Sequence, residues 1–448
     1  MNKEKVLSID YQTIVELEIL KPSGIGKNIF DILDRTTTVG GRDMLKSKFR
    51  RPSSDLKEIV SIQEAVKFIS ENRIEWDIKD FKPIIDQVEF YYYSKADIIN
   101  SESSIGIFFE GIYYYIKSKL YRKTINPGAK NAIHLILKFY DYYAKNKSGK
   151  LPGYLQNIFS ELEKIFTIAP ISRILKKGSK HSWNLSELFQ FDRVFRDLNK
   201  MDTLRLINLF YEIDVLLSKA DVTEEMGLAF PEFVDSELAI LEINDVYHLF
   251  LKNAVENTLI FNEGKNFLFL TGPNMAGKTT FLKSSSIAVF LAHQGMGVPA
   301  SSMRLTAFGA IFSSLNTSDN LSIGYSYFYS EVMRVKQAAE TLKAHTKTFM
   351  VFDELFKGTN VKDAFDGSVL VIDGLVNWMS SVFILSSHLL EIEKKIEKHP
   401  NIFYQYFDSN IQDGKPEFNF KLKKGLSDER LGLLILKNEN IDKLLQKD

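Results

Sequence analysis

Cysteine is absent from all 448 residues, which excludes disulfide scaffolds, thiolate zinc sites and thiol catalysis. Proline is scarce at 11 residues, so long helices meet few breakers. An excess of charge of either sign is missing as well. Lys plus Arg number 57 and so do Asp plus Glu, giving a formal net charge of zero. Attraction to a polyanion must then come from a local patch, which disfavours a tight, autonomous DNA binder. No apolar run reaches the roughly eighteen residues that a membrane helix needs, and "MNKEKVLSID" carries no apolar signal segment. No membrane partner is expected, and the cytoplasm is the expected location. What is present, 45% hydrophobic and 25% charged residues, is the composition of an ordinary folded protein with a length for two or three units.

From about Tyr11 to Lys219, apolar residues recur three and four apart in "YQTIVELEIL", "SIQEAVKFI", "AIHLILKFYDYYAK" and "LRLINLFYEIDVLLSKA", the period of amphipathic helices. Breaks are expected near Pro22 to Gly26, Pro52, Pro127 to Gly128, Gly149 to Gly153 and Gly178. The runs Tyr91 to Tyr93 and Tyr113 to Tyr115 read as aromatics packed in a core or at an interface and not as base-stacking platforms. Two basic clusters, Lys145, Lys147 and Lys150, then Arg173, Lys176, Lys177 and Lys180 with His181, flank glycines and read as exposed helix ends. Near residue 230 the texture changes to "AILEI", "TLIF", "FLFLTG", "TFMVFDE" and "VFILSSH", strands alternating with helical stretches, which argues for a largely parallel covered sheet. The expected domains are residues 1–229, helical, and 230–448, α/β.

Gly272, Pro273, Asn274, Met275, Ala276, Gly277, Lys278 and Thr279 satisfy G-x-x-x-x-G-K-[ST] between a strand and a helix. The four fixed positions would coincide by chance in about one or two of a hundred such chains. Glycines let backbone amides converge on phosphates, the helix N-terminus adds positive potential, Lys278 reaches the terminal phosphates and the Thr279 hydroxyl suits Mg²⁺. "TFMVFDE" ends in Asp353, a second Mg²⁺ ligand, and Glu354, which would orient or deprotonate the attacking water. His388 ends "VFILSSH", where a sensor of the terminal phosphate would lie. ATP and Mg²⁺ are therefore the expected cofactors, and Lys278, Glu354 and His388 the expected catalytic residues.

Together these segments resemble the MutS family of DNA mismatch-repair ATPases. "TGPNMAGKTT", including Thr280, is similar to the family's phosphate loop with Ala276 in place of a glycine. "DELFKGTN" and "SSH" resemble its next two motifs. "GYSYFYSEV" resembles the signature loop, which in the family is offered to the nucleotide of the other subunit, so Ser326 is implied to act across a dimer, with Tyr327 replacing a threonine. "FDILDRTTTVGGRDMLKSKFRRP" is similar to the opening of the family's lever domain, with Arg42 one place early. "FKLKKGLSDERLGLLIL" resembles the C-terminal hairpin and helix, where Phe420 is implied to stack on adenine and Ala254 stands in place of the opposite aromatic.

The resemblance implies an α/β P-loop NTPase domain, an ABC-like mixed sheet flanked by helices, preceded by an all-α lever domain. It begins at the lever, so neither the mismatch-reading module nor the connector domain is expected, and residues 119–182 are short for a full DNA clamp. The literal Phe108-Phe109-Glu110 reads as core, not as a base wedge. The function implied is a homodimeric, ATP-dependent clamp on duplex DNA, mismatched, distorted or branched, tied to mismatch repair or recombination and acting with other repair proteins. The alternative is a nucleotide-gated clamp on RNA, a ribosome or a protein complex.

Overall fold

The computed structural model describes residues 5–22, 26–147, 149–262, 264–315, 327–412, 415–427 and 444. Contacts divide the chain into two units. One comprises residues 1–33, 48–60 and 223–448, the other residues 34–47 and 61–222. The division is not a single cut near residue 230: the first 33 residues and the segment 48–60 pack with the α/β unit, because β1 (Ser8–Ile9) pairs in parallel with β7 (Ala310–Ser314) and extends its sheet.

Eleven strands are described, and all lie in the α/β unit. A seven-stranded sheet runs in the order β1, β7, β8 (Thr348–Asp353), β9 (Val382–Ser386), β5 (Phe267–Thr271), β10 (Ile402–Gln412), β11 (Lys415–Lys424). All its pairings are parallel except the β10–β11 hairpin, so the sheet is mixed, as expected. A second sheet orders β2 (Glu232–Phe233), β6 (Ser302–Leu305), β3 (Leu241–Val246) and β4 (Asn257–Phe261). Strands β5 and β9 are buried at every residue, which is why they read as unbroken apolar runs: both faces of a parallel sheet are covered. Phe267, Phe269, Met350, Phe352, Phe383 and Leu385 form one core with Ala338, Leu342, Ile372 and Leu375 from covering helices.

His293 is fully buried in this unit. Its Nδ1 donates to the Ser53 carbonyl at 2.8 Å and its Nε2 accepts the Phe308 N–H at 3.1 Å, which fixes one neutral tautomer. Burial pushes its pKa down to about 4. The unfolded chain therefore takes up a proton near pH 6.5 that the folded chain refuses. Stability is expected to fall by about 3 kcal/mol as pH drops from 6.5 through 4. Urea unfolding at pH 7 and pH 5 checks this; the fall must shrink in a His293→Gln variant.

In the other unit the regular elements among the described residues are all helices. Its core holds Trp76, Phe81, Phe139, Tyr142, Phe159, Phe166 and Phe210 in ring contacts 5.1 to 6.5 Å apart, which accounts for the high aromatic content. The expected break at Pro127 does not occur. One helix, Lys119–Asn146, runs through it, because Thr124, Ile125, Gly128 and Ala129 are buried on both sides and packing outweighs the missing N–H. Gly128 lies against the Tyr91 ring, where an added Cβ would come within 2.3 Å of Cδ2. Tyr91 and Tyr92 are core residues, but Tyr93 and Tyr113 are exposed. Phe109 is not core either: it is 65% exposed, since the helix Ser104–Lys117 buries its opposite face through Ile107 and Gly111, and Glu110 accepts the N–H groups of Asn100 and Ser101. Of the basic clusters, Lys145, Lys176 and Lys177 sit in last helical turns, Lys177 paired with Glu187.

The segment "DRTTTVGGR" is a clasp on the helix Lys200–Glu225. Asp214 accepts the Thr37 and Thr38 N–H groups at 2.8 and 2.9 Å and the Thr38 hydroxyl at 2.6 Å. Gly40 and Gly41 permit the approach, since a Cβ at either would meet the Tyr211 ring or the Asp214 carboxylate.

Candidate nucleotide-binding site

The strand order places the ends of β5, β8 and β9 side by side: Leu270 pairs with Ser386, and Ser386 with Asp353. Carboxyl ends of parallel strands are where α/β sheets leave a crevice for ligands. The loop after β5 enters the helix Lys278–Ala292, whose N-cap Gly277 has φ +102°. Gly272, at φ +136°, passes so close to β10 that a Cβ would lie 2.9 Å from the Phe407 carbonyl oxygen. Those two positions require glycine. Ala276 is buried, while Asn274 and Met275 stand exposed at the crest, Met275 at φ +72°.

Lys278 is buried, and its Nζ donates to the carbonyls of Gly272 at 2.8 Å and Pro273 at 3.2 Å. Burial lowers its pKa, while Glu354 and Asp353 counteract that. The ammonium is thus held over the loop by two of its carbonyls. Thr279 Oγ1 donates to Asp353 Oδ2 at 2.5 Å, and the Ser386 hydroxyl binds the other Asp353 oxygen. A hydroxyl and a carboxylate in contact beside a phosphate loop are the hard oxygen donors that Mg²⁺ takes, so the donor set fits that ion.

Glu354 follows at φ +61°, a costly conformation for a residue with a Cβ. Its Oε2 lies 3.5 Å from His388 Nδ1 and 3.4 Å from Lys357 Nζ. The His388 contact, chiefly, keeps the Glu354 carboxyl down at about 2, and the same contact raises the imidazole pKa. Glu354 is therefore ionised throughout the neutral range, as a group that orients water must be.

A cavity of about 500 Å³ adjoins the loop, lined by Tyr247, His248, Ala254, Asn257, Thr280 and Phe420 among others. Phe420, at φ +56° and part exposed, presents its ring to Gly277, 3.3 Å from where a Cβ would stand. Asn257 holds it there: its Nδ2 donates to the Phe420 carbonyl at 3.0 Å and its Oδ1 accepts the Leu422 N–H at 2.8 Å. Ala254 does line the cavity, and Tyr247 and His248 supply the bulk that it does not.

The structure thus gathers Gly272 through Thr280, Asp353, Glu354, His388 and Phe420 at one place. Ser326, and residues 428–443 where the resemblance implies a C-terminal helix, lie outside the described residues. Sequence reasoning passed over Ser386, Lys357, Tyr247, His248 and Asn257. Ser386 and Lys357 lie inside the "SSH" and "DELFKGTN" segments without being singled out there, whereas Tyr247, His248 and Asn257 carry no motif and only strand pairing and loop packing bring them in. Among the described residues no group of three or more His, Asp or Glu forms a separate metal cluster, and no helix is long and apolar enough to cross a membrane.

MutS domain V matches residues 268–446. The DNA mismatch repair protein MutS of Thermotoga neapolitana is 22% identical over 509 residues, covering 96% of this chain and 63% of that protein. Its counterpart in Persephonella marina is 24% identical over 476 residues, covering 96% and 53%, and that of Streptococcus uberis 26% over 263 residues, covering 56% and 31%. The chain spans less than two thirds of the length of these relatives. The chain is thus similar to MutS domain V over residues 268–446 and to MutS proteins across nearly all of its length.

Proposed function

We propose that the chain is a Mg²⁺-dependent ATPase whose nucleotide cycle drives a homodimeric clamp on duplex DNA in mismatch repair or a related pathway. The observation that carries this reading is the convergence of Lys278, Thr279, Asp353, Glu354 and His388 at the ends of three adjacent strands. Lys278 and the loop N–H groups between Asn274 and Thr279 bind the β- and γ-phosphates. Thr279 and Asp353 hold Mg²⁺, which when bound neutralises charge on the phosphate oxygens. Glu354 orients the attacking water, His388 reads the terminal phosphate, and Phe420 stacks on the base. Ser326 completes the site of a second copy. The helical unit, 34–47 and 61–222, is the lever, and its contacts with DNA go to phosphates and leave base identity largely unread. Relatives named as mismatch repair proteins support the DNA assignment.

The test is a binding and turnover series with homoduplex, mismatched and branched DNA and structured RNA, with and without ATP. DNA-modulated hydrolysis that disappears in Lys278→Ala is expected. Unchanged turnover and no low-salt binding with every DNA would overturn the DNA assignment. Ribosomal or protein partners copurifying in its place would select the non-DNA clamp, which the zero net charge favours.

A further inference from the structure

Glu331 lies in the first turns of the helix Tyr327–Ala344 and is buried. Its two carboxylate oxygens do not pair with a cation on that helix. Oε1 accepts the Lys357 N–H at 3.0 Å and Oε2 the Gly358 N–H at 3.0 Å, so a single side chain bridges two successive amides of the loop that follows Glu354. That loop is strained: Glu354 and Phe356 both have φ +61°, and left-handed backbone at residues with a Cβ persists only where the surroundings over-determine it. The surroundings here come from the same helix. Phe328 packs on Phe356 with ring centroids 5.9 Å apart, and Gly358 approaches so closely that a Cβ would stand 2.5 Å from Tyr327 Cδ1 and 2.8 Å from the Phe328 nitrogen. The helix is itself anchored one turn on. Arg334 donates to the Ser313 carbonyl at the end of β7 and to Asp10 at 2.9 Å, and its guanidinium lies 3.8 Å over the Phe312 ring.

The backbone of the loop therefore has three supports. The Glu354 N–H bonds the Ser386 carbonyl at 3.0 Å on β9, the aromatic contact holds its middle, and Glu331 holds its far end. Only the last is a charge-assisted pair of hydrogen bonds, the strongest type available to an amide.

We infer that Glu331 is a positioning residue for hydrolysis: by clamping the Lys357 and Gly358 amides it fixes the loop geometry that aims the Glu354 carboxylate, without touching nucleotide. The inference rests on the ATPase reading proposed above. Misplacing a reacting group by about 1 Å can cost on the order of 100-fold in rate while leaving binding intact. Glu331→Gln is nearly isosteric but turns one acceptor into an NH₂ that faces an N–H, so one of the two bonds is lost.

The experiment uses the full chain in wild-type, Glu331→Gln, Glu331→Ala and Lys278→Ala forms. Three quantities are measured: steady-state ATP hydrolysis, affinity for a non-hydrolysable ATP analogue, and amide exchange at Lys357 and Gly358. Glu331→Gln is expected to lower kcat about 10- to 100-fold with KM and analogue affinity within about threefold, and to speed exchange at those two amides. Glu331→Ala should do both to a greater degree. Unchanged kcat or unchanged exchange in Glu331→Gln, with wild-type hydrolysis that depends on Lys278, overturns the inference alone. Loss of analogue binding in parallel with kcat assigns Glu331 to general integrity of the site and overturns it too. Wild-type protein without Lys278-dependent hydrolysis overturns the ATPase reading and the positioning role with it, whatever the amides do.

Discussion

Glu354→Gln is expected to slow ATP turnover by about 100- to 10,000-fold, the range lost when a positioned base is removed, while nucleotide affinity stays within a few-fold of wild type. In the proposed ATPase, binding and hydrolysis rest on different groups. Affinity is assigned to Lys278, the loop N–H groups and the cavity beside Phe420, and the Lys278 ammonium donates to the Gly272 and Pro273 carbonyls and not to Glu354. The carboxylate instead faces His388 and Lys357, which hold it ionised. Gln keeps the shape and one acceptor oxygen but has no basic oxygen and leaves His388 and Lys357 without the carboxylate they face. Single-turnover hydrolysis beside equilibrium binding of a fluorescent ATP analogue reads the split. A variant that bound ATP much more weakly, or turned it over at more than a tenth of the wild-type rate, would show that Glu354 does not act on the attacking water.

In the helical unit the largest effect falls on Asp192, which has no exposed surface. It accepts Arg196 Nε at 2.6 Å and Nη2 at 2.7 Å, with the Tyr91 hydroxyl at 2.7 Å and that of Tyr121 at 3.4 Å. Arg196, equally buried, also donates to the Ala96 and Asp97 carbonyls and lies in a π-helical stretch, Val194–Leu198. Removing one member of a buried pair strands the other charge in a low-dielectric interior, so Asp192→Ala is expected to cost about 3–5 kcal/mol in unfolding free energy. Replacing both, Asp192→Leu with Arg196→Met, should cost less than the single change, since no charge is then orphaned. Denaturant unfolding followed by the tryptophans of this unit, Trp76 and Trp183, measures both; a double variant less stable than the single one would contradict the argument.

Much of the site was legible from residues 267–283 alone. An apolar strand, a glycine-framed loop and Lys278 at a helix start leave a phosphate few alternatives, because backbone amides and one cation must converge within a short span. Asp353, Glu354 and His388 were legible for a related reason: each ends an apolar run, and in a parallel sheet such ends share one edge. Phe420 came from the family resemblance, and the structure adds that a left-handed backbone and the Asn257 side chain turn its ring toward Gly277. Where local preference was read as decisive, packing overruled it. Pro127 did not stop its helix, and Phe109, apolar in an apolar stretch, is on the surface because only one face of that helix has neighbours.

The amino-acid order by itself determined where the proposed nucleotide chemistry is placed, since the glycine-framed loop and the acidic strand end are local patterns whose geometry is set within a few bonds. Only the tertiary structure decided what holds that chemistry in place. Ser386 beside Asp353, Glu331 beneath the Glu354 loop, Asn257 behind Phe420 and the first 33 residues against β7 are contacts between segments distant along the chain. Their partners are chosen by strand order and burial, which no short window of sequence encodes.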